Sequence, residues 1–530
     1  MVLKNAMSIE SATHWRTVLD TIDGCFHSVV HVRGEVYVNG SRYGSRGLYR
    51  CRVDGIDIAA DTVHALRYLV GGKLDVGVLA AHLLEPIPHH LAQRPLLGGI
   101  EPVSPGTGLI ITPRGRSRPV EGRTEALSVE GLDEGAQEVR NRLIGAVSAR
   151  TAAGGTVTSE FSGGYDSTSI SFIAARGPAE IKLLTAQGRD SANEDLEWAL
   201  RAAQHMPAVE HTILPDSQLP LTYAGLDDGP TWLNEPSPLI VGRSRVGALA
   251  RLASTFGSGV HLTGHGGDHV FTGLPTLYRD LLWHRPLTAW RGLRGYGALG
   301  GWRWRDLLYD AVEPTAYHAW WKKNYRPVAG IPEKRKPMLG WAIPPSLPVW
   351  TTEAAEEAIS DGILWMASAT VPLAPERGRH VELESIIEGA RTVAVLNRMS
   401  LAAGGPPLAA PYFDDRVITA SLSVAVQHRV SAWTYKPLLN AAVRGIVPDV
   451  VLQRQTKDDG SHDVESGLRK HRDELVALWE DSRLGDVGLI DAKKLKHLCA
   501  NPSSFELEEG TMYTTIACEL WLRDLERSFI

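Results

Sequence analysis

Cysteine is scarce in this chain. It has four in 530 residues, Cys25, Cys51, Cys499 and Cys518, and none forms a C-x-x-C pair. That spacing excludes a disulfide framework and argues against a structural zinc site. Long apolar runs are missing as well. No stretch reaches the roughly eighteen residues a membrane span requires, so none is expected. The start, MVLKNAMSIESATHWR, lacks the apolar core of a signal peptide, and a cytoplasmic location is expected. Neither sign of charge dominates. With 55 Lys+Arg against 61 Asp+Glu the net charge is −6, which gives no general electrostatic reason to bind nucleic acid. There is no internal repeat and no low-complexity tract. What remains is a composition of 43% apolar and 22% charged residues, which excludes wholesale disorder.

Residues 1–123 read as mostly β. CFHSVVHV (25–32) and EVYVNG (35–40) are short strands between Gly-containing turns, and LGGIEPVSPGTGLIIT (97–112) is a turn cluster followed by a strand. Apolar spacing predicts a helix over 59–70. The Pro-, Gly- and Arg-rich stretch 112–123 is expected to end this first domain. From 124 to 530 helices alternate with short strands, the signature of a parallel α/β sheet. A helix is expected over 128–150, then strand, Gly-rich turn and helix over 156–175, a strand over 181–187, and a helix opened by a Ser191/Glu194 capping box. GVHLTGHGGDHVF (259–271) repeats the strand-then-loop pattern. An insertion at about 275–380 holds nine of the fifteen tryptophans, and its 283–326 stretch has eight Lys/Arg against three Asp/Glu.

The sharpest chemical signal is Ser162-Gly163-Gly164-Tyr165-Asp166-Ser167, between a strand and a helix. Gly163 and Gly164 let the backbone approach a ligand, and helix-start amides suit an anion. Ser162 and Ser167 add hydroxyls. Phosphate would repel Asp166 unless a cation lay between them, so Asp166 makes sense as a Mg2+ ligand. The plain alternative is a Gly-Ser turn with an N-cap.

This loop resembles the pyrophosphate-binding loop of the ATP-pyrophosphatase superfamily, to which asparagine synthetases belong. It lacks the Gly-Lys-Ser/Thr ending of a Walker loop. The resemblance continues in order. Thr263-Gly264-His265-Gly266-Gly267-Asp268 is similar to the family's second metal-binding loop. Asn397–Ser400 through Ala410–Asp414 resembles its substrate-site segment, and Tyr435-Lys436-Pro437-Leu438-Leu439 and Arg454-Gln455-Thr456-Lys457 follow. YGSRGLYR (43–50) and RPLLGGIEPVSPG (94–106) resemble the family's N-terminal amidotransferase domain, of the Ntn type. That domain uses an N-terminal cysteine. Here position 2 is Val2 and the nearest cysteine is Cys25, so glutamine hydrolysis by that route is not expected.

Two branches of the superfamily lack that nucleophile, the β-lactam synthetases and the lasso peptide cyclases. The insertion, His265 and the RQTK arrangement at 454–457 favour the cyclases. The resemblance implies a β-rich Ntn-amidotransferase-like domain, its nucleophile lost, followed by an α/β adenine-nucleotide-hydrolase-like synthetase domain. It also implies ATP and Mg2+, with Asp166 and Asp268 as metal ligands and Thr263 and Gly264 beside the nucleotide. The expected partners are a lasso precursor core peptide, a leader peptidase and a leader-recognition protein. The implied reaction adenylates an Asp or Glu side chain, and the peptide's own N-terminal amine closes the ring. The alternatives are a β-lactam synthetase, an asparagine synthetase using free ammonia, and a non-catalytic peptide-binding scaffold.

Lys457 suits the tetrahedral oxyanion and the leaving phosphate, unless it is simply a surface lysine. His265 is a candidate proton acceptor or a loop histidine touching phosphate, and Glu388, with Glu384 as its rival, is a candidate to orient it. Tyr412 and Asp414 are candidates to line the acceptor site, Tyr412 equally a packing residue. The tryptophans could hold the peptide or form a helical subdomain's own core. His89 and His90 are expected to be surface histidines; the basic-aromatic run 291–305 could suggest RNA stacking and could equally meet an acidic peptide, and the chain's acidic balance disfavours nucleic acid. Glu160 stands where the strand before the loop calls for an apolar residue.

Overall fold

The computed structural model describes residues 12–121, 131–190, 192–329, 336–454, 461–501, 507 and 509–527. Val2, Ser191 and Gln455-Thr456-Lys457 lie outside the described residues.

The first unit carries two antiparallel sheets. One has the order β1-β2-β6-β7, from β1 (Ser28–Val32), β2 (Glu35–Asn39), β6 (Thr107–Ile111) and β7 (Ser117–Glu121). The other runs β4-β3-β5, from β3 (Leu48–Val53), β4 (Ile56–Ala60) and β5 (Ile100–Val103). The 97–112 stretch therefore makes two strands, not one. The helix expected from 59 starts at Val63, because Ala59 and Ala60 close the β4 ladder opposite Arg50 and Tyr49. Residues 112–121 of the stretch expected to end this domain turn back as a hairpin. Thr112 N donates to Arg116 O at 2.9 Å, Gly115 takes φ +71° to make the turn, and β7 pairs with β6.

The second unit is built on a five-stranded, wholly parallel sheet. Its strands are β8 (Thr156–Glu160), β9 (Glu180–Ala186), β10 (Glu210–Leu214), β11 (His261–Leu262) and β14 (Leu408–Ala409), in the order β10-β9-β8-β11-β14. A two-stranded ribbon, β12 (Val328–Ala329) and β13 (Ser346–Leu347), lies apart. Helices cover the sheet, so consecutive residues are buried on both faces of its inner strands, Val157, Thr158 and Ser159 in β8 and Leu183, Leu184 and Thr185 in β9. Val157, Leu183 and Leu262 join one core with Leu143, Ile170 and Ile386 from flanking helices. The chain winds from β8 outward to β10, then crosses back to β11 on the other side of β8. That reversal opens a crevice at the carboxyl ends of β8 and β11, where ligands of such sheets bind.

The second large core lies outside this sheet. It gathers Leu79 and Leu83 from the first unit, Trp321, Trp350 and Ile359 from the insertion, and Ile516 and Trp521 from the last helix. The inner tryptophans thus belong to a shared core, not to a core of the insertion's own. A small separate core, with Leu277, Leu293, Leu307 and Val430, holds the 276–312 helices. No helix among the described residues is long and apolar enough to cross a membrane.

Candidate active site

Both Gly-rich loops lie at the mouth of that crevice. The Ser162–Ser167 segment follows β8 and leads into the helix Tyr165–Ala174. Its shape is fixed by its own hydroxyls. Ser162 N donates to Ser167 Oγ at 3.2 Å, the two serine hydroxyls meet at 3.0 Å, and Gly164 N donates to Ser162 Oγ at 3.3 Å. The first-turn amides of the helix have no carbonyl of their own helix to bond. Gly163 takes φ +69°, and a Cβ there would stand 2.4 Å from Ala199 N. Arg454 braces the loop from outside. Its Nη1 donates to Ser162 O at 3.2 Å, and its Nη2 pairs with Asp195.

The second loop, Thr263–Asp268, is pressed against the first. A Cβ on Gly264 would stand 2.4 Å from Ser167 N, and one on Gly267 would stand 2.1 Å from Asp166 Oδ1. Glu160 explains its own place at the end of β8. Its Oε2 accepts from Thr263 Oγ1 at 2.5 Å and from Gly264 N at 3.3 Å. The unexpected carboxylate is thus a clasp between the two loops. It leaves Val157, Thr158 and Ser159 buried, and its own burial raises its pKa.

Asp166 and Asp268 converge on one cation, the Lys436 ammonium. Lys436 Nζ lies 2.6 and 2.5 Å from the two Asp166 oxygens and 2.9 Å from Asp268 Oδ1. The lysine side chain is fully buried, and its backbone is left-handed at φ 44°. Tyr435 Oη donates to Asp268 Oδ1 at 2.9 Å, and burial together with the two aspartates raises its pKa. The Tyr435-Lys436 motif gives Lys436 no role in the sequence alone. A buried lysine needs an anionic partner, but nothing in one sequence names which.

This donor set suits a hard cation. Two carboxylates from separate loops already share one positive charge, and Mg2+ typically takes one or two carboxylates plus phosphate oxygens and water. Among the described residues no group of three His, Cys, Asp or Glu forms a closed metal cage. Asp166 and Asp268 therefore fit Mg2+ only together with a phosphate ligand.

Several of the candidates sit in settings that their motifs do not show. His265 is not placed as a ready base. Burial, with His269 next, lowers its pKa to about 4, and its Nε2 bonds Thr392 Oγ1 at 2.5 Å. Its ring packs against Phe413 and His269, so it ties the second loop to the long helix Arg377–Ala402. Among the described residues no hydrogen bond joins it to Glu388. Tyr412 and Asp414 are both buried, and neither lines an open acceptor cleft. Tyr412 Oη donates to Asp166 O at 3.1 Å and so supports the loop. Asp414 takes a two-pronged bond from Arg150, at 2.5 and 2.9 Å, on the helix Leu132–Thr151. His89 and His90 are also misjudged as surface residues. They start a short helix, and burial lowers both imidazole pKa values.

Glu388 and Glu384 diverge although they sit one turn apart. Glu388 is exposed on the long helix, one turn from Thr392, yet desolvation of its carboxyl outweighs the pull of Arg391 and raises its pKa. Glu384 turns to the first unit and accepts His89 N–H at 2.8 Å. Burial, opposed by that bond and reinforced by Glu388, pushes its pKa up to about 7. Cys25 bonds Ser45 Oγ at 2.9 Å, and burial pushes its thiol up to about 12, so it is no thiolate nucleophile. A concavity of 1120 Å³ lies between the first sheet and the helix Leu132–Thr151, away from Asp166 and Asp268. A recess of 390 Å³ is nearer the loops, at the carboxyl end of β9, lined by Gly188, Arg189, Asp195 and Arg245.

A family model described as asparagine synthase matches residues 138–523, taking in both loops and Lys436. The chain belongs to the asparagine synthase family. The chain is also similar to amidase chyE of Penicillium rubens. The two are 28% identical over 278 residues, which is 48% of this chain and 40% of that protein. The chain thus spans two fifths of the length of that relative. Two solved structures share 16% identity at a TM-score of 0.19. One is a U34-tRNA thiolase from Methanococcus maripaludis, covering 28% of this chain and 49% of its own. The other is an NMN synthetase from Francisella tularensis, covering 27% and 58%. At that score neither bears on the fold.

Proposed function

We propose that this asparagine synthase family member is an ATP-dependent, AMP-forming amide ligase that closes a macrolactam in a lasso-type precursor peptide. The observation that carries the ligase reading is the meeting of Asp166 and Asp268 around one cation at the sheet's switch point. Triphosphate would lie on the Ser162–Ser167 loop, with the nucleoside end toward the recess beside β9. Asp166 and Asp268 would hold Mg2+, which supplies charge neutralisation on the triphosphate. Lys436 would then turn its ammonium to the phosphates, and Lys457 is assigned the tetrahedral oxyanion.

A carboxylate oxygen of the peptide's Asp or Glu attacks the α-phosphorus, and the bond to the β-phosphate oxygen breaks to release pyrophosphate. The peptide's N-terminal amine then attacks the acyl carbon. The C–O bond to AMP breaks, and one proton is lost from nitrogen. A peptide α-amine has a pKa near 8, so at pH 7 about a tenth is already neutral, a cost of about 1.4 kcal/mol. Solvent-facing Glu388, its pKa raised, suits that proton better than buried His265. An open mouth favours a peptide over a small amino acid, since Asp268 is 45% exposed and Tyr435 40%.

Incubation with ATP, Mg2+ and a leader-cleaved core peptide tests this. The expected products are peptide short of one water, AMP and pyrophosphate. ADP formation overturns the mechanism. Turnover with free ammonia or a β-amino acid, and none with peptide, moves the assignment to the alternative ligases. No nucleotide turnover with any acid leaves a binding scaffold.

A further inference from the structure

The 283–312 segment carries side chains that neither the sheet core nor the aspartate cleft uses. Its two helices, Pro286–Leu299 and Trp304–Val312, pack inward on Leu293, Leu307 and Ala311. Their outer faces also carry large apolar side chains. Arg305, Leu308, Tyr309 and Val312 follow the i, i+3, i+4, i+7 spacing of one helix face, and all four are exposed. Trp283, Leu287, Leu299 and Trp304 are exposed too, at 81, 88, 70 and 65%. A stable monomer has no reason to display that many large apolar groups in thirty residues.

The charge there is one-signed. The exposed ionic residues of 283–312 are Arg285, Arg291, Arg294, Arg303 and Arg305, while Asp306 and Asp310 are half-buried. This sits on a chain whose net charge is −6. All five cations are arginines, whose planar forks grip carboxylates in pairs of bonds.

The face also leads to the cleft. Arg291 stacks on Trp433 at 5.2 Å, and a Cβ on Gly295 would stand 2.7 Å from the same ring. Trp433 is 58% exposed and two residues from Tyr435, which bonds Asp268. Trp433 thus stands between the lobe and Tyr435, the residue that bonds Asp268.

We propose that the outer face of the 283–312 lobe is the docking surface for an acidic peptide bearing large apolar side chains, namely the part of the substrate that does not react. The proposal rests on the ligase reading and adds the substrate's chemical class. A bilayer would also attract arginine and tryptophan. The connection through Trp433 to the cleft favours a peptide.

The test uses the full chain and two fluorescein-labelled peptides of about 20 residues, one of Glu, Leu and Phe, the other with every Glu replaced by Lys. Fluorescence anisotropy at about 50 mM salt should show the acidic peptide binding at least tenfold more tightly, with binding weakening as salt rises. Combined Arg294→Glu, Arg303→Glu and Arg305→Glu should reverse the preference. Leu308→Ser with Tyr309→Ser should weaken binding about tenfold while thermal stability holds. ATP–pyrophosphate exchange driven by a small blocked aspartate should be unchanged in both variants. Equal binding of the two peptides, or binding indifferent to the arginine reversal, overturns the proposal. So does capture on phosphatidylglycerol vesicles through the same arginines with no peptide bound. Absence of exchange in the unmodified chain would sink the ligase reading alone, since the anisotropy contrast does not depend on ATP.

Discussion

Asp166 and Asp268 lie about a hundred residues apart and meet at one ammonium. Asp414 and Asp415 are neighbours in sequence and part company at once. Asp414 turns to Arg150, and Asp415 takes the backbone N–H groups of Arg42 and Tyr43, at 2.8 and 3.3 Å, from the first unit. The first pair opens to solvent at Asp268 and shares a charge that can be exchanged for another. The second pair holds its partners permanently, one in an ion pair and one across a unit boundary. A carboxylate's role here follows from what meets it, not from the family motif in which it stands.

The contrast breaks most readily at Asp166. Asp166→Asn should lower ATP–pyrophosphate exchange by about a thousandfold or more, near 4 kcal/mol, while the thermal midpoint moves little. Equal loss of activity and fold would make Asp166 another structural aspartate. Next comes Asp414→Ala, which strands the largely buried Arg150. Denaturant titration should show about 3 kcal/mol lost, with exchange per folded molecule unchanged. Lower exchange in a fully stable Asp414 variant would restore the acceptor-site reading and erase the distinction.

Glu384 sharpens the comparison, as a carboxyl that burial holds near pKa 7 without any cation. Its folded pKa is raised, so the native state binds more protons than the unfolded one between about pH 4.5 and 7. Stability therefore falls as pH rises through that window. Glu384→Gln should add about 2 kcal/mol at pH 8 and almost nothing near pH 5, read by denaturant titration at both. A gain that does not change with pH would show that the carboxyl is not desolvated. The smallest effect concerns the thiols. All four cysteine pKa values are raised, with burial the first cause. Iodoacetamide at pH 8 should leave the native chain essentially unlabelled and modify four sites after unfolding. Fast labelling at Cys25 alone would reopen a nucleophilic role in the first unit.

The parallel sheet and both Gly-rich loops were legible because their signals are local. Strand, glycines and helix start follow one another in SEFSGGYDST, and the glycines are there to admit close neighbours. What escaped depends on contacts across the chain. Lys436 is one lysine among many until Asp166 and Asp268 close on it. Glu160 reads as a flaw in a strand until Thr263 and Gly264 arrive to bond it. Asp414 sits inside a substrate-like motif, and only the burial of Arg150 against it reveals its task. The tryptophans mislead for the same reason. Composition does not separate Trp350, fully buried and bonded to Thr515 Oγ1, from Trp304, 65% exposed.

The fit between Gly267 and Asp166 carries a practical message for anyone redesigning this chain. With no space for even a methyl group between them, the two loops behave as one moulded part whose halves happen to be encoded far apart. Grafting either half from a relative, or randomising one in a library, will fail unless the other travels with it.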